Sequence, residues 1–259
     1  MSASGSRIAF VHIPRTAGTA FGEHLDQLHA GARIAKFYVD DEHPVVNGRI
    51  DAYRALAEAD KASYAMLRGH FPYGFDDSEH GSRYVTLLRE PVSRLVSYYF
   101  YALKEPLNYL HAYLFQRRIG LERFLASEAS IDLDNAQVRA VSGAHFDSPR
   151  ARVGPEHLEM AKHNLVERFA AFGLTERFDE SMRRFCARFG WPAAGVERRN
   201  EGSYARDLTL SPACREHVEH SNRFDIELYR FALERFDREA VPAAHDELRD
   251  TDTARITRS

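Results

Sequence analysis

Two arginines and a group of hydroxyls stand at spacings that suit the binding of an anion. In Phe10-Val11-His12-Ile13-Pro14-Arg15-Thr16-Ala17-Gly18-Thr19-Ala20-Phe21, an apolar run from Ile8 to Val11 stops before Pro14, and small and hydroxyl residues then open a helical pattern. A strand–loop–helix entry of this kind leaves backbone N–H groups without partners at a helix N-terminus, where the macrodipole also favours negative charge. Arg15 adds a fixed positive charge, and Thr16 and Thr19 add hydroxyl donors. Such a segment reads as a phosphate cradle. It is not the loop of the ATPases, because no Gly-Lys-Ser/Thr occurs and Gly18 is the sole glycine of the turn.

A second segment has the same chemistry. Tyr84-Val85-Thr86-Leu87-Leu88-Arg89-Glu90-Pro91 reads as a buried strand that stops at a charged residue just before proline. Pro91 suits the first position of a helix, where its missing N–H is not needed. In that helix Val92, Leu95, Val96 and Tyr99 form the core-facing stripe, and Ser93, Ser97 and Tyr101 lie off it. Arg89 therefore sits at the strand end and Ser97 roughly 9 Å along the helix, at about 1.5 Å per residue. A guanidinium fork and a hydroxyl so placed can grip a phosphate from two sides.

Together these words resemble the sulfotransferases that use 3′-phosphoadenosine 5′-phosphosulfate (PAPS), in particular the group of heparan sulfate 2-O-sulfotransferases and bacterial relatives. The segment His12 to Ala20 looks like their 5′-phosphosulfate loop, with Arg15 where the family usually carries Lys and Ala20 where it often carries Ser. Arg89 to Tyr99 looks like their 3′-phosphate site, in which Arg89 and Ser97 hold the phosphate that distinguishes PAPS from ATP. Arg68-Gly69-His70-Phe71 matches the point where relatives use a Gly-His histidine as the base that activates the acceptor hydroxyl. The heparan sulfate enzymes carry a second histidine two positions earlier, where this chain has Arg68.

Further words extend the likeness from about Ile8 to Phe236: Leu133 to Arg139, Phe172 to Asp179 and Asn222 to Tyr229. By resemblance, PAPS is the donor and no metal is required. Arg15 and the amides around Thr16, Ala17, Gly18, Thr19 and Ala20 take the 5′-phosphate and bridging oxygen, and His70 takes the acceptor's proton. Asn135, Gln137 and Arg139 line the acceptor pocket. Arg199 belongs to a basic loop within 191–207 that closes over the 3′-phosphate. Arg68 reads as favouring an anionic acceptor such as an acidic sugar. The acceptor is otherwise a small molecule or glycan with a hydroxyl or amine.

These side chains need a frame. Short apolar runs at Ile8–Ile13, Arg33–Val39, Tyr64–Leu67 and Tyr84–Leu88 alternate with helical patterns at Thr19–His29 and Ile50–Ala59. That alternation predicts an α/β fold with a central parallel sheet and helices on both faces. The resemblance makes it a P-loop-like three-layer fold with a helix-rich C-terminal half. A last strand is expected at Ala170–Leu174, then a helix over Glu176–Phe189 and a long helix from Ser211-Pro212. No linker divides the chain, so residues 1–259 are read as one domain, with flexible tails at 1–6 and from about 243. His70 falls at a strand's C-terminal end, the edge where parallel sheets bind ligands.

The bulk properties narrow the alternatives. With 259 residues, 44% hydrophobic and 28% charged, the chain has the make-up of an ordinary globular protein. A net charge of −3 gives no general affinity for nucleic acid, so any anion site is local. Two cysteines, Cys186 and Cys214, supply no disulfide framework. No signal peptide and no membrane span is legible, and the expected location is cytoplasmic. Cys214, His217 and His220 share a helix, but three ligands so spaced drift around it, and they read as a solvated face. Neither a Gly-x-Ser-x-Gly elbow nor a His-Glu-x-x-His helix occurs, which leaves hydrolases without support. Two other readings stay open: an ATP-dependent phosphotransferase with a divergent loop, and a catalytically silent nucleotide-binding protein.

Overall fold

The computed structural model describes residues 7–38, 46–76, 78, 81–144, 152–192 and 209–239. Five strands form one sheet: β1 (Ile8–Val11), β2 (Ile34–Phe37), β3 (Met66–Gly69), β4 (Arg83–Leu88) and β5 (Phe169–Leu174). Their order is β2-β3-β1-β4-β5, and every pairing is parallel. β1 is apolar throughout and buried at all four positions, as a central strand covered on both faces must be. Ile8 is in register with Met66 on one side and with Arg83 on the other.

Helices cover both faces and give the three-layer α/β architecture. On one face, α1 (Gly18–Leu28) and α9 (Phe178–Phe189) pack Phe21, Leu25, Phe178, Met182 and Phe185 against Ile8, Phe10, Val85 and Leu87. The opposite face receives α2 (Val46–Arg54), α7 (Ala136–Ser142), α8 (Pro155–Glu167) and α11 (Arg223–Arg238) on Ala9, Val11, Leu67 and Leu88. Alternate residues of β1 thus feed different layers, the period of two that a pleated strand imposes. α1 leads from β1 towards one edge of the sheet, while the segments after β4 lead to the other. The crevice outside the carboxyl ends of β1 and β4 is therefore a topological switch point.

A third apolar cluster stands beside the sheet, built by α4 (Pro91–Lys104), α5 (His111–Gln116), α6 (Leu121–Leu125) and α10 (Pro212–Ser221). α4 begins as its sequence dictates. Pro91 occupies the first turn, and the Glu90 carboxylate accepts from the backbone N–H of Val92 at 3.1 Å and of Ser93 at 2.7 Å. Cys214 lies in this cluster beside Val218, and burial raises its thiol pKa.

Two expected helices are divided. The pattern over Ile50–Ala59 resolves into α2 and a short α3 (Glu58–Ala62), separated by a turn at Ala55 to Ala57. The long helix expected from Ser211 is α10 and α11, broken at Asn222. Asn222 is buried and donates from Nδ2 to the Leu133 carbonyl at 2.9 Å, while its Oδ1 accepts from the Asn135 N–H at 3.0 Å. Strand boundaries shift by a residue or two, with β3 running on to Gly69. The expected tails and most of the 191–207 loop, Arg199 included, lie outside the described residues. No helix among the described residues is long and apolar enough to cross a membrane.

Candidate active site

The loop after β1 carries two non-glycine residues with left-handed backbones, Arg15 at φ 70° and Ala17 at φ 62°. Each costs roughly 1–2 kcal/mol relative to an ordinary conformation, and such strain collects where function over-determines the backbone. Ala17 is the N-cap of α1, and no side chain caps it. The amides of the first turn of α1 thus face the loop, with the helix dipole behind them. Gly18 is compulsory here: a Cβ on it would stand 2.0 Å from Cδ2 of His12. The Thr16 hydroxyl is spent on the Ile13 carbonyl at 2.9 Å and locks the turn, whereas Thr19 is exposed and Ala20 is buried.

The two phosphate motifs converge. Arg15 Nε donates to Ser97 Oγ at 3.1 Å, and its guanidinium lies 4.6 Å from the Tyr101 ring centroid. Arg89 donates from one terminal nitrogen to the Arg15 carbonyl at 3.0 Å. Arg15, Arg89 and Ser97 therefore form one cationic cluster at the ends of β1 and β4. Because Ser97 accepts from Arg15, its own hydroxyl proton can serve another oxygen.

His70 follows β3 at the same edge. Its Nδ1 lies 2.7 Å from the His12 carbonyl oxygen. A carbonyl only accepts, so Nδ1 carries the proton and Nε2 keeps its lone pair. Burial lowers the His70 pKa from its ordinary value, partly opposed by the His12 carbonyl and the Asp132 charge. The imidazole is thus held neutral. Gly69, just before it, has φ 153°, and a Cβ there would meet the Phe37 carbonyl oxygen at 2.3 Å. Only glycine lets β3 end this close to β2 and turn His70 inward.

His12 supports this arrangement. Its ring is 4.8 Å from the His70 ring, and its Nδ1 is 3.0 Å from the Tyr38 hydroxyl. Burial, followed by the charges of His70, Arg68 and Arg15, pushes its pKa well below the ordinary value. His12 thus packs against the candidate base and hydrogen-bonds to Tyr38.

Arg68 is engaged within the protein. It makes a two-point contact with Asp26, Nε to Oδ1 at 2.9 Å and a terminal nitrogen to Oδ2 at 2.7 Å, and donates to the Tyr38 hydroxyl at 3.1 Å. Asp26 is shared with Lys36, whose Nζ lies 2.8 Å from the same Oδ2, and Arg68 links Asp26 through Tyr38 to His12 behind His70.

The three residues read as lining the acceptor pocket are buried and bonded to the scaffold. Asn135, left-handed at φ 47°, accepts on Oδ1 from the N–H groups of Phe224 and Asp225, both at 3.0 Å, and so caps α11. Gln137 grips the Arg89 backbone at two points: its Oε1 accepts from the N–H and its Nε2 donates to the carbonyl, both at 2.9 Å. Arg139 donates to the carbonyl and carboxylate of Asp134. Their geometry is that of positioning residues, with Gln137 acting directly on Arg89.

Sequence reasoning did not find Asp26 or Tyr38, whose roles depend on contacts across distant segments, and it placed Tyr101 off the core stripe of its helix without its contact to Arg15. Nor did it find Asp132, although an acid directly preceding the Leu133 to Arg139 segment was a visible signal. Among the described residues no three His, Cys, Asp or Glu side chains gather as a metal site. No family model matches the chain, and no curated protein matches it.

Proposed function

We propose that this protein is a sulfotransferase that moves a sulfuryl group from PAPS to a hydroxyl, or an amine, of a small acceptor. The observation that carries this reading is the convergence of Arg15, Arg89 and Ser97 with His70 on one sheet edge. An uncapped helix N-terminus and two guanidinium groups suit a ligand with more than one anionic group. The donor, when bound, supplies an activated sulfuryl group. Everything else falls to the chain's own residues.

The α1 amides and Arg15 would hold the phosphate next to the sulfuryl group and stabilise charge on the departing oxygen. Arg89, fixed by Gln137, and Ser97 would hold the 3′-phosphate. His70 Nε2 would accept the acceptor's proton, a task for a base neutral near physiological pH. Arg15 can stabilise charge but cannot serve as a general acid, since guanidinium does not give up its proton in this range. The sulfuryl group bears less charge than a γ-phosphoryl group, so turnover is expected to survive EDTA. The proposed place of action is the cytoplasm.

A binding titration with 3′-phosphoadenosine 5′-phosphate (PAP), ADP and ATP tests the reading. Preference for PAP, lost in Arg89→Ala, is the expected result. Equal binding of the three nucleotides, or magnesium-dependent turnover of ATP, would overturn it in favour of a phosphotransferase.

A further inference from the structure

A second polar array stands beside the cationic cluster and is absent from the roles above. α4 presents Ser97 to Arg15, and the next residue, Tyr98, lies with its hydroxyl 3.3 Å from that of Tyr109. Tyr109 donates to Ser130 Oγ at 2.6 Å, and Ser130 donates to Asp132 Oδ2 at 3.3 Å. An ionised carboxylate can only accept, so the chain has one direction: Tyr98 to Tyr109 to Ser130 to Asp132. Negative character is concentrated at its end.

The array is rigid at its base and open at its top. Tyr98 is 3% exposed, whereas Tyr109 is 67% exposed. Ser130 also accepts from the Asp132 N–H at 3.1 Å, and the buried Arg94 donates to the Asp132 carbonyl at 2.5 Å. The backbone of Asp132 is therefore anchored while the residue stays partly exposed. Among the described residues no cation lies within ion-pair distance of its carboxylate. The array borders the cationic cluster through both of its segments: Tyr98 follows Ser97 on α4, and Asp132 shortly precedes Gln137, whose side chain holds the Arg89 backbone.

We infer that Asp132, Ser130 and the Tyr98–Tyr109 pair form the acceptor subsite, and that the acceptor is a hydroxyl-bearing molecule with an ammonium group, an amino sugar or amino alcohol. This inference rests on the sulfotransferase reading for the identity of the reacting partner. An ammonium group is matched by a carboxylate together with an exposed aromatic ring. An anionic acceptor would meet Asp132 unfavourably and find Arg68 already paired to Asp26. The proposed acceptor is opposite in charge to the anionic one that Arg68 suggests in the sequence.

The test is a titration of the PAP-saturated protein with glucosamine, at a pH where its amine is protonated, beside glucose and glucuronate. Tyrosine ring resonances are followed by NMR, with Tyr109 assigned through Tyr109→Phe. Glucosamine is expected to shift the Tyr109 signal, glucuronate to leave it in place, and Asp132→Asn to weaken glucosamine by about tenfold. Asp132→Lys should turn the preference towards glucuronate, and PAP binding by each variant reports that it is folded. Glucuronate binding as tightly as glucosamine, an unchanged affinity in Asp132→Asn, or no sugar reaching Tyr109 would each overturn the inference. The nucleotide titration given above separates the two ideas: absence of a preference for PAP sinks the sulfotransferase reading, while the sugar response judges the subsite.

Discussion

His70 donates its Nδ1 proton to the carbonyl oxygen of His12 at 2.7 Å. The bond decides which nitrogen remains for chemistry, since only Nε2 can then accept a proton. It also ties the candidate base to the first residue after β1, so base and phosphate loop cannot drift apart independently. His70→Ala is expected to lower kcat/KM by about 10²–10⁴-fold, the usual contribution of a positioned base. PAP affinity should change little. A variant that keeps turnover but loses PAP binding would move His70 from the chemistry to the nucleotide.

The pH profile should follow from the same contacts. Burial lowers the pKa of His70, so the acidic limb of kcat/KM is expected below about 6.5, the ordinary histidine value. A limb centred above neutrality would contradict the neutral imidazole.

Stability carries its own pH signature. The folded-state pKa values of His12 and His70 lie below those of the unfolded chain. Between the two values the unfolded chain binds more protons, so stability rises with pH across that window. It is fully present above about 6.5 and declines as pH falls towards the folded values. Thermal melts between about pH 8 and 5 should show this, and His12→Gln should flatten the slope.

Gln137 should matter more to nucleotide selection than its distance from the loop suggests. Gln137→Leu removes both bonds to the Arg89 backbone and leaves buried polar groups unsatisfied, at a cost of about 1–3 kcal/mol each. The expected outcome is a lower Tm together with a reduced preference for PAP over ADP. A fall in Tm with the preference intact would make Gln137 purely structural.

Gly18→Ala tests the cradle directly. The added methyl would meet the His12 ring, and overpacking of this kind costs about 1–3 kcal/mol. His12 must swing away, which disturbs the carbonyl that orients His70. Loss of PAP binding and of turnover is expected, with chemical denaturation confirming a folded protein.

Most of the sheet was legible because each strand is a short apolar run bounded by Gly, Pro or charge. Arg89 and His70 were legible as strand ends for the same reason. The break at Asn222 was not, because Phe224 and Leu228 continue the apolar period expected from one helix, and the interruption comes from Asn135 far away in sequence. The roles of Arg68, Asn135, Gln137 and Arg139 were hidden in the same way. A polar side chain announces that it will bond, but only the fold reveals to what. Asp26 and Asp225 supply the partners here: the first holds Arg68, and the second accepts from the N–H groups of Gln137 and Val138.

The position of β1 has a consequence for the order of events during synthesis. This strand is made before the other four, yet among the described residues it pairs with β3 and β4, whose residues follow much later. At about 5–20 residues per second, Ile8–Val11 must wait in a nascent chain for seconds before either neighbour emerges. Neither the loop carrying Arg15 nor the His12 carbonyl can find its place until then. Folding of the N-terminal segment is thus paced by the ribosome, and chaperone demand should be greatest before Leu88 has cleared the exit tunnel.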